Sequence, residues 1–246
     1  MIQKDFKQDY LIRYSEIDYD KSVKPFSLLN FLQDTASDNA EDYGFGYSYI
    51  TPKNLMWVLL KYRIEFSEYP NNIHNLTVNT EPRGYNRLFA YRDFEISVNE
   101  KIIARAFSMW SLVDFTNMTI ASVEKALEGN PYMKKFEAKE DDLKFSKIPI
   151  LEKVDFEKEF EVRYNDIDVN RHANNGNYIV WAFEPLSLEF KSTHKPKTID
   201  MVFKKEAKLG EKLISKVQLL DEKTTVHNMQ NVETGEDLCQ LLCTWS

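Results

Sequence analysis

Residues 10–18 of this chain read YLIRYSEID, and residues 160–168 read FEVRYNDID. At a constant offset of 150 residues, Arg13 meets Arg163, Tyr14 meets Tyr164, Ile17 meets Ile167 and Asp18 meets Asp168. Glu16 against Asp166 is a conservative exchange. Such a repeat constrains the fold more than any single motif, because both copies must form the same supersecondary unit. In each copy aromatic and aliphatic residues alternate with polar ones (Tyr10, Ile12, Tyr14; Phe160, Val162, Tyr164), the period of a half-buried strand.

The segments that follow agree as well. After Pro25, FSLLNFLQDTASDNA sets Leu29, Leu32, Ala36 and Ala40 at helical spacing, with proline at the tolerated first turn. In the second copy NNGNYIVWAFE sets Tyr178 and Trp181 on one face, and Asn174 or Asn175 can cap its start. Each helix leads into β-rich stretches: MWVLLKYRIEF, NLTVNTEP, RLFAYRDFEISV and KIIARAFSMWSLV, then IDMVFKK, EKLISKVQL, TVHNMQNV and DLCQLLCTWS. The copies close alike, FSMWS against LCTWS. Strand, helix, then several antiparallel strands is an α+β unit in which the helix packs on one sheet face. This order resembles the hotdog fold, and two tandem copies would make in one chain what single-copy relatives make by dimerising. The division expected is 1–130, an exposed charge-rich linker at 131–152, and 153–246.

Composition narrows the function. With 43% hydrophobic and 29% charged residues, the chain is globular rather than disordered. No run approaches the ~18 apolar residues of a membrane span, and MIQKDFKQDY lacks a secretory stretch, so a cytoplasmic protein without membrane insertion is expected. A net charge of −7 argues against nucleic acid as a partner. One basic stretch stands out: Lys191, Lys195, Lys197, Lys204, Lys205, Lys208 and Lys212. Cys239 and Cys243, four apart on an expected strand, lie roughly 13 Å apart, too far for a disulfide, and read as small buried hydrophobes. No metal site or cofactor motif is expected, and His74, His194 and His227 read as isolated surface or loop residues.

The repeat carries its own control, since a structural residue tends to persist in both copies whereas a catalytic one can survive in one. After the shared Ile-Asp the first copy continues Tyr-Asp-Lys-Ser-Val-Lys-Pro and the second Val-Asn-Arg-His-Ala-Asn-Asn. Only the second holds an imidazole, with three amides beside it and carboxylates just upstream. A calcium loop fails on Arg171, where glycine is needed, and on Asn177, where a bidentate glutamate is needed. His172 as a turn histidine and the asparagines as caps form the bland alternative. Asp18 answers Asp168, so part of the role of Asp168 is structural.

Asp168-Val169-Asn170-Arg171-His172-Ala173-Asn174-Asn175-Gly176-Asn177-Tyr178-Ile179-Val180-Trp181 resembles the D-x-N-x-H-x-N-N-x-x-Y-x-x-W signature of the acyl-acyl carrier protein thioesterases, double-hotdog enzymes. Trp57 in MWVLLKY and the RLFAYRDFEI segment are similar to first-half features of that family, and KKEAKLGEKLIS resembles its functional Glu segment. The resemblance implies Asp168, Asn170, His172 and Glu206 as the catalytic set, with Asp168 either orienting the loop and Asn170 or attacking the thioester itself, and Trp57, Asn174 and Asn175 binding substrate. It implies hydrolysis of fatty acyl thioesters on acyl carrier protein, ending chain elongation, with no cofactor. The first module then binds the acyl chain and the second is catalytic, while pairing into a homodimer stays open. Ala207 stands where many plant members have Cys, which favours water activated by a carboxylate over a thiol nucleophile. The alternatives are an acyl-CoA thioesterase, a hotdog hydratase or dehydratase, and a non-catalytic acyl- or carrier-binding module.

Overall fold

The computed structural model describes residues 6–168 and 171–246. The offset seen in the sequence is kept in space. Strand β1 (Phe6–Leu11) is matched 150 residues later by β7 (Phe156–Glu161). The 3-10 turn Tyr14–Glu16 is matched by Tyr164–Asp166, and the bridge Ile17–Val23 by Ile167–Ala173. The first central helix, α1 (Pro25–Asp42), is followed by the short α2 (Tyr47–Ile50). The first half continues through β2 (Leu55–Phe66), β3 (Asn75–Tyr85), β4 (Phe89–Val98), β5 (Lys101–Asp114), the short β6 (Thr119–Ala121) and α3 (Val123–Ala126). The second half carries α4 (Asn175–Phe183), α5 (Leu188–Thr193), β8 (Pro196–Phe203), β9 (Lys212–Asp221), β10 (Thr224–Asn231) and β11 (Asp237–Trp245). Every β-rich stretch picked from the sequence is one of these strands.

All strands join one sheet in the order β1-β3-β4-β5-β2-β8-β11-β10-β9-β7, with β6 beside β5. From either end inward the order of equivalents is the same. The halves meet where β2 pairs antiparallel with β8, Arg63 opposite Asp200 and Ile64 opposite Ile199. Arg63 forms an ion pair with Asp200 there, the carboxylate only 2% exposed.

Both central helices lie on the sheet. α1 buries Leu28, Leu29, Leu32 and Ala36, and α4 buries Tyr178, Ile179, Trp181 and Ala182. They cross closely at Gly176, where a Cβ would stand 2.9 Å from Asn30 Oδ1 and 3.0 Å from Phe26 Cδ2. The second central helix is shorter than its counterpart, nine residues against eighteen. Pro185 supplies the reason, because a helix interior needs the N–H that proline lacks. The chain restarts as α5, where the Ser187 hydroxyl accepts from the Phe190 N–H at 3.1 Å.

Residues 131–152 are not a free tether. Many are exposed, but their anchors pack on the sheet: Asp142 pairs with Arg83 at 2.5 Å, and the Phe136 and Phe145 rings lie 6.2 and 5.2 Å from Phe107. The segment also adds to the edge at Tyr85, whose N–H donates to the Lys134 carbonyl at 2.9 Å. Gly84, with φ at +119°, allows that approach. Near the junction Ser146 N–H donates to Asp200 at 2.9 Å. The strap therefore touches both halves.

Two other expectations meet the packing. Cys239 and Cys243 are free thiols, both fully buried, and burial pushes each thiol pKa up. His227 is no surface residue: it lies in β10, fully buried, bonded to Thr225 Oγ1 and the Ala182 carbonyl, each at 2.7 Å. It faces inward with Thr225 and Met229, two residues away on either side. His74 is exposed in a loop, and His194 ends α5 with its ring 4.3 Å from Phe190. No helix among the described residues is long and apolar enough to cross a membrane.

Candidate active site

The loop between β7 and α4 is closed by its own backbone. Asp168 N–H donates to the His172 carbonyl at 2.9 Å, as Asp18 N–H donates to Ser22 in the first copy at 2.7 Å. Arg171 N–H returns to the Asp168 carbonyl at 3.1 Å, with Arg171 in the left-handed region at φ +66°. Asp166 is structural: its carboxylate accepts from Arg163 N–H at 2.8 Å, and its carbonyl accepts from Asn174 N–H at 2.8 Å and from the Asn177 side chain at 2.8 Å. Glu16 does the same for Arg13 at 2.7 Å. These shared contacts explain why R-Y-x-D/E-I-D survives in both copies. Val169 and Asn170 lie outside the described residues.

The loop brings His172 against a residue 34 positions further on. His172 Nδ1 stands 3.1 Å from Glu206 Oε2, with the side chains 23% and 41% exposed, so the pair opens to solvent on one side. Glu206 follows β8 in a loop stitched down on both flanks. Lys204 N–H donates to the Leu238 carbonyl at 2.8 Å, and Gly210 N–H to the Val162 carbonyl at 2.9 Å. Ala207 is fully buried, its carbonyl accepting from Ala173 N–H at 2.9 Å and its N–H donating to the Tyr178 hydroxyl at 2.8 Å. Its side chain belongs to the core.

The two asparagines proposed for substrate are engaged in holding the helix. Asn174 Oδ1 accepts from Gly176 N–H at 2.7 Å, an N-cap, and Asn175 Nδ2 donates to Gln33 of α1 at 3.3 Å. Asn175 thus ties the start of α4 to the first half. One turn past Gln33 along α1, about 6 Å at the usual helical rise, Ser37 lines a cavity of about 70 Å³. Trp57 lines it too, its indole N–H donating to the Phe45 carbonyl at 2.9 Å. Ala36, Ala40, Trp110 and Met133 form much of the remaining wall.

One wall residue escaped sequence reasoning. Arg92 is 5% exposed and lines the cavity, donating to Asn39 Oδ1 at 2.7 Å and Thr80 Oγ1 at 3.1 Å. Among the described residues no carboxylate lies within ion-pair distance, and burial lowers its pKa to about 10. The signal was in RLFAYRDFEI: Arg92 falls on the inward alternation with Ala90 and Phe94, where an apolar residue belongs.

At the corresponding place in the second half, aromatic rings stand against the tryptophan. Trp245, counterpart of Trp110 in the closing FSMWS/LCTWS match, is covered by Phe183 and Phe190 at 5.0 and 5.2 Å. Phe190 comes from α5, which by the repeat offset stands where the last turns of α1 stand in the first half. Trp110 thus borders a cavity, whereas Trp245 packs against two aromatic rings.

Of the lysines singled out in the sequence, Lys195 forms an ion pair with Asp20, while Lys204 pairs with Asp237 at 2.9 Å and Lys205 with Glu236. Lys204, Lys205 and Lys208 flank Glu206 directly, and Arg171 precedes His172.

Residues 3–128 match the acyl-ACP thioesterase N-terminal domain, and residues 151–246 the acyl-ACP thioesterase C-terminal domain. Among similar curated proteins, a palmitoyl-acyl carrier protein thioesterase of Gossypium hirsutum is 27% identical over 96% of this chain and 59% of its own length. An acyl-[acyl-carrier-protein] hydrolase of Cuphea viscosissima is 25% identical over 95% of this chain and 60% of its own. The chain thus spans about 60% of the length of these relatives. An acyl-ACP thioesterase from Bacteroides thetaiotaomicron superposes with a TM-score of 0.86 at 22% identity, covering 98% of this chain and 97% of that one. The 12:0-ACP thioesterase of Umbellularia californica gives 0.86 at 20% identity, with coverage of 98% and 97%. The fold is the double hotdog.

Proposed function

This chain belongs to the acyl-ACP thioesterase family, and on that premise we propose that it hydrolyses fatty acyl thioesters carried on acyl carrier protein, releasing the free acid. The observation that carries the reading is the 3.1 Å contact between His172 and Glu206, present only in the second half and open to solvent. A thioester carbonyl becomes an oxyanion under attack, so the site needs a base for water and donors for that oxygen. Glu206 takes a proton from water as the water oxygen bonds to the carbonyl carbon. As the tetrahedral intermediate collapses and the C–S bond breaks, the water proton passes from Glu206 to His172 across their 3.1 Å contact and on to the departing thiolate, so both groups end in their starting state. The buried methyl of Ala207 supports the water route over a thiol nucleophile.

The start of α4 supplies a favourable dipole for the oxyanion. Asn174 and Asn175 serve here by fixing that helix end against α1, and Asn170 with Asp168 completes the set carried over from the family signature. The acyl chain enters the cavity beside Trp57 in the first half, which lies one helical turn beyond the Gln33–Asn175 contact. Arg171, Lys204, Lys205 and Lys208 neighbour His172 and Glu206 in sequence, and although Lys204 and Lys205 pair with Asp237 and Glu236, this basic cluster suits an acidic carrier protein. The reaction ends fatty acid elongation, and a cytoplasmic site of action is the fitting one for such a chain.

Thiol release from acyl-ACP and from acyl-CoA across a series of chain lengths tests this reading. It predicts faster release from the carrier-protein substrates, with a preferred length. Release from CoA alone removes the carrier as partner, and release from neither removes the hydrolase.

A further inference from the structure

The pair at the site is held by a residue that touches neither of its side chains. Tyr178, 1% exposed, stands in the second turn of α4. Its hydroxyl accepts from Ala207 N–H at 2.8 Å and donates to the Lys205 carbonyl at 3.4 Å. Those are peptide groups on the two sides of Glu206. On the opposite flank Ala173 N–H, next to His172, donates to the Ala207 carbonyl at 2.9 Å. Residue 207 is thus gripped at both its N–H and its carbonyl by the segment that carries His172.

We propose that Tyr178 is a positioning residue of this site, its hydroxyl fixing the Glu206 loop so that the carboxylate stays within hydrogen-bond reach of His172. The inference rests on the reading of Glu206 and His172 as the acid–base pair. The ring of Tyr178 already has a packing role, with Trp181 at 5.3 Å and Phe203 at 5.6 Å, and phenylalanine fills that volume equally well. Only the hydroxyl reaches the loop. Without it the Ala207 N–H is left unpaired in the core, a state that drives the loop to rearrange. A shift on the order of 1 Å between acid and base lowers turnover roughly 100-fold.

The test is Tyr178→Phe set beside Tyr62→Phe. Tyr62 is equally buried, but its hydroxyl has no hydrogen-bond partner among the described residues, so the same deletion there removes no contact. Two quantities are read: kcat and KM for thiol release from acyl-ACP, and the imidazole 15N signals of His172. Tyr178→Phe is expected to lower kcat roughly 10- to 100-fold at nearly constant KM. It should also move the His172 signals in the direction that Glu206→Gln moves them, while Tyr62→Phe alters neither. Unmoved His172 signals in Tyr178→Phe overturn the proposal, whatever happens to kcat. A wild-type protein that releases no thiol would overturn the hydrolase reading instead, and the 15N signals would still decide the positioning.

Discussion

At the scale of single residues, two histidines show how surroundings set chemistry. His172 sits in an opening beside a carboxylate, where proton exchange with substrate and solvent is available. His227 sits in the core between a hydroxyl and a carbonyl, and burial depresses its pKa to about 4. In the unfolded chain it titrates near its ordinary value of about 6.5, so the unfolded state binds the proton more tightly. Stability from a neutral His227 is therefore complete above pH ~6.5 and is lost as pH falls towards ~4, about 3 kcal/mol at most. His227→Gln should flatten the dependence of Tm on pH in that window relative to wild type; an identical slope in both proteins would contradict this. His172, proposed here as catalytic, stood out because the repeat supplied a comparison, His172 against Ser22. His227 and Arg92 were not, because a lone polar residue on the inward face of a strand declares its burial only once the sheet is assembled.

At the scale of elements, the alternation and the helix starts were readable, and the attachments between segments were not. Each strand segment was visible in the sequence, and α1 and α4 begin at the same repeat position. The second helix was read from NNGNYIVWAFE, which ends one residue before Pro185, and α4 (Asn175–Phe183) falls inside that segment. The stretch 131–152 was read as exposed from its charged residues, and most of it is, while the attachment through Phe136, Asp142 and Phe145 is not declared by that composition. Gly176 is the tightest point in the helix pair. Gly176→Val puts side-chain atoms within the space of Phe26 and Asn30 and is expected to cost about 1–3 kcal/mol, measurable by urea unfolding. An unchanged midpoint would mean that the helices separate more easily than their packing indicates.

At the scale of the whole molecule, duplication made one sheet and then let its halves diverge. The first has an opening at Trp57 and Ser22 in place of the imidazole, while the second has the imidazole and aromatic rings against Trp245. The seam between them is β2 against β8, with a buried ion pair at its centre. Arg63→Met leaves Asp200 buried and unmatched, a loss expected near 3–5 kcal/mol in thermal or urea unfolding; a loss under ~1 kcal/mol would show that the strap and backbone hold the seam alone. Reversing the charge of Lys204, Lys205 and Lys208 should raise KM for acyl-ACP and leave kcat near wild type, with KM unchanged as the contrary result. The account depends most on one carboxylate acting as the base for water. Its most direct test is kcat for acyl-ACP hydrolysis by Glu206→Gln, beside its Tm. The expected result is a fall of roughly 10²-fold or more at unchanged Tm; a Glu206→Gln protein that turns over at the wild-type rate would contradict the account.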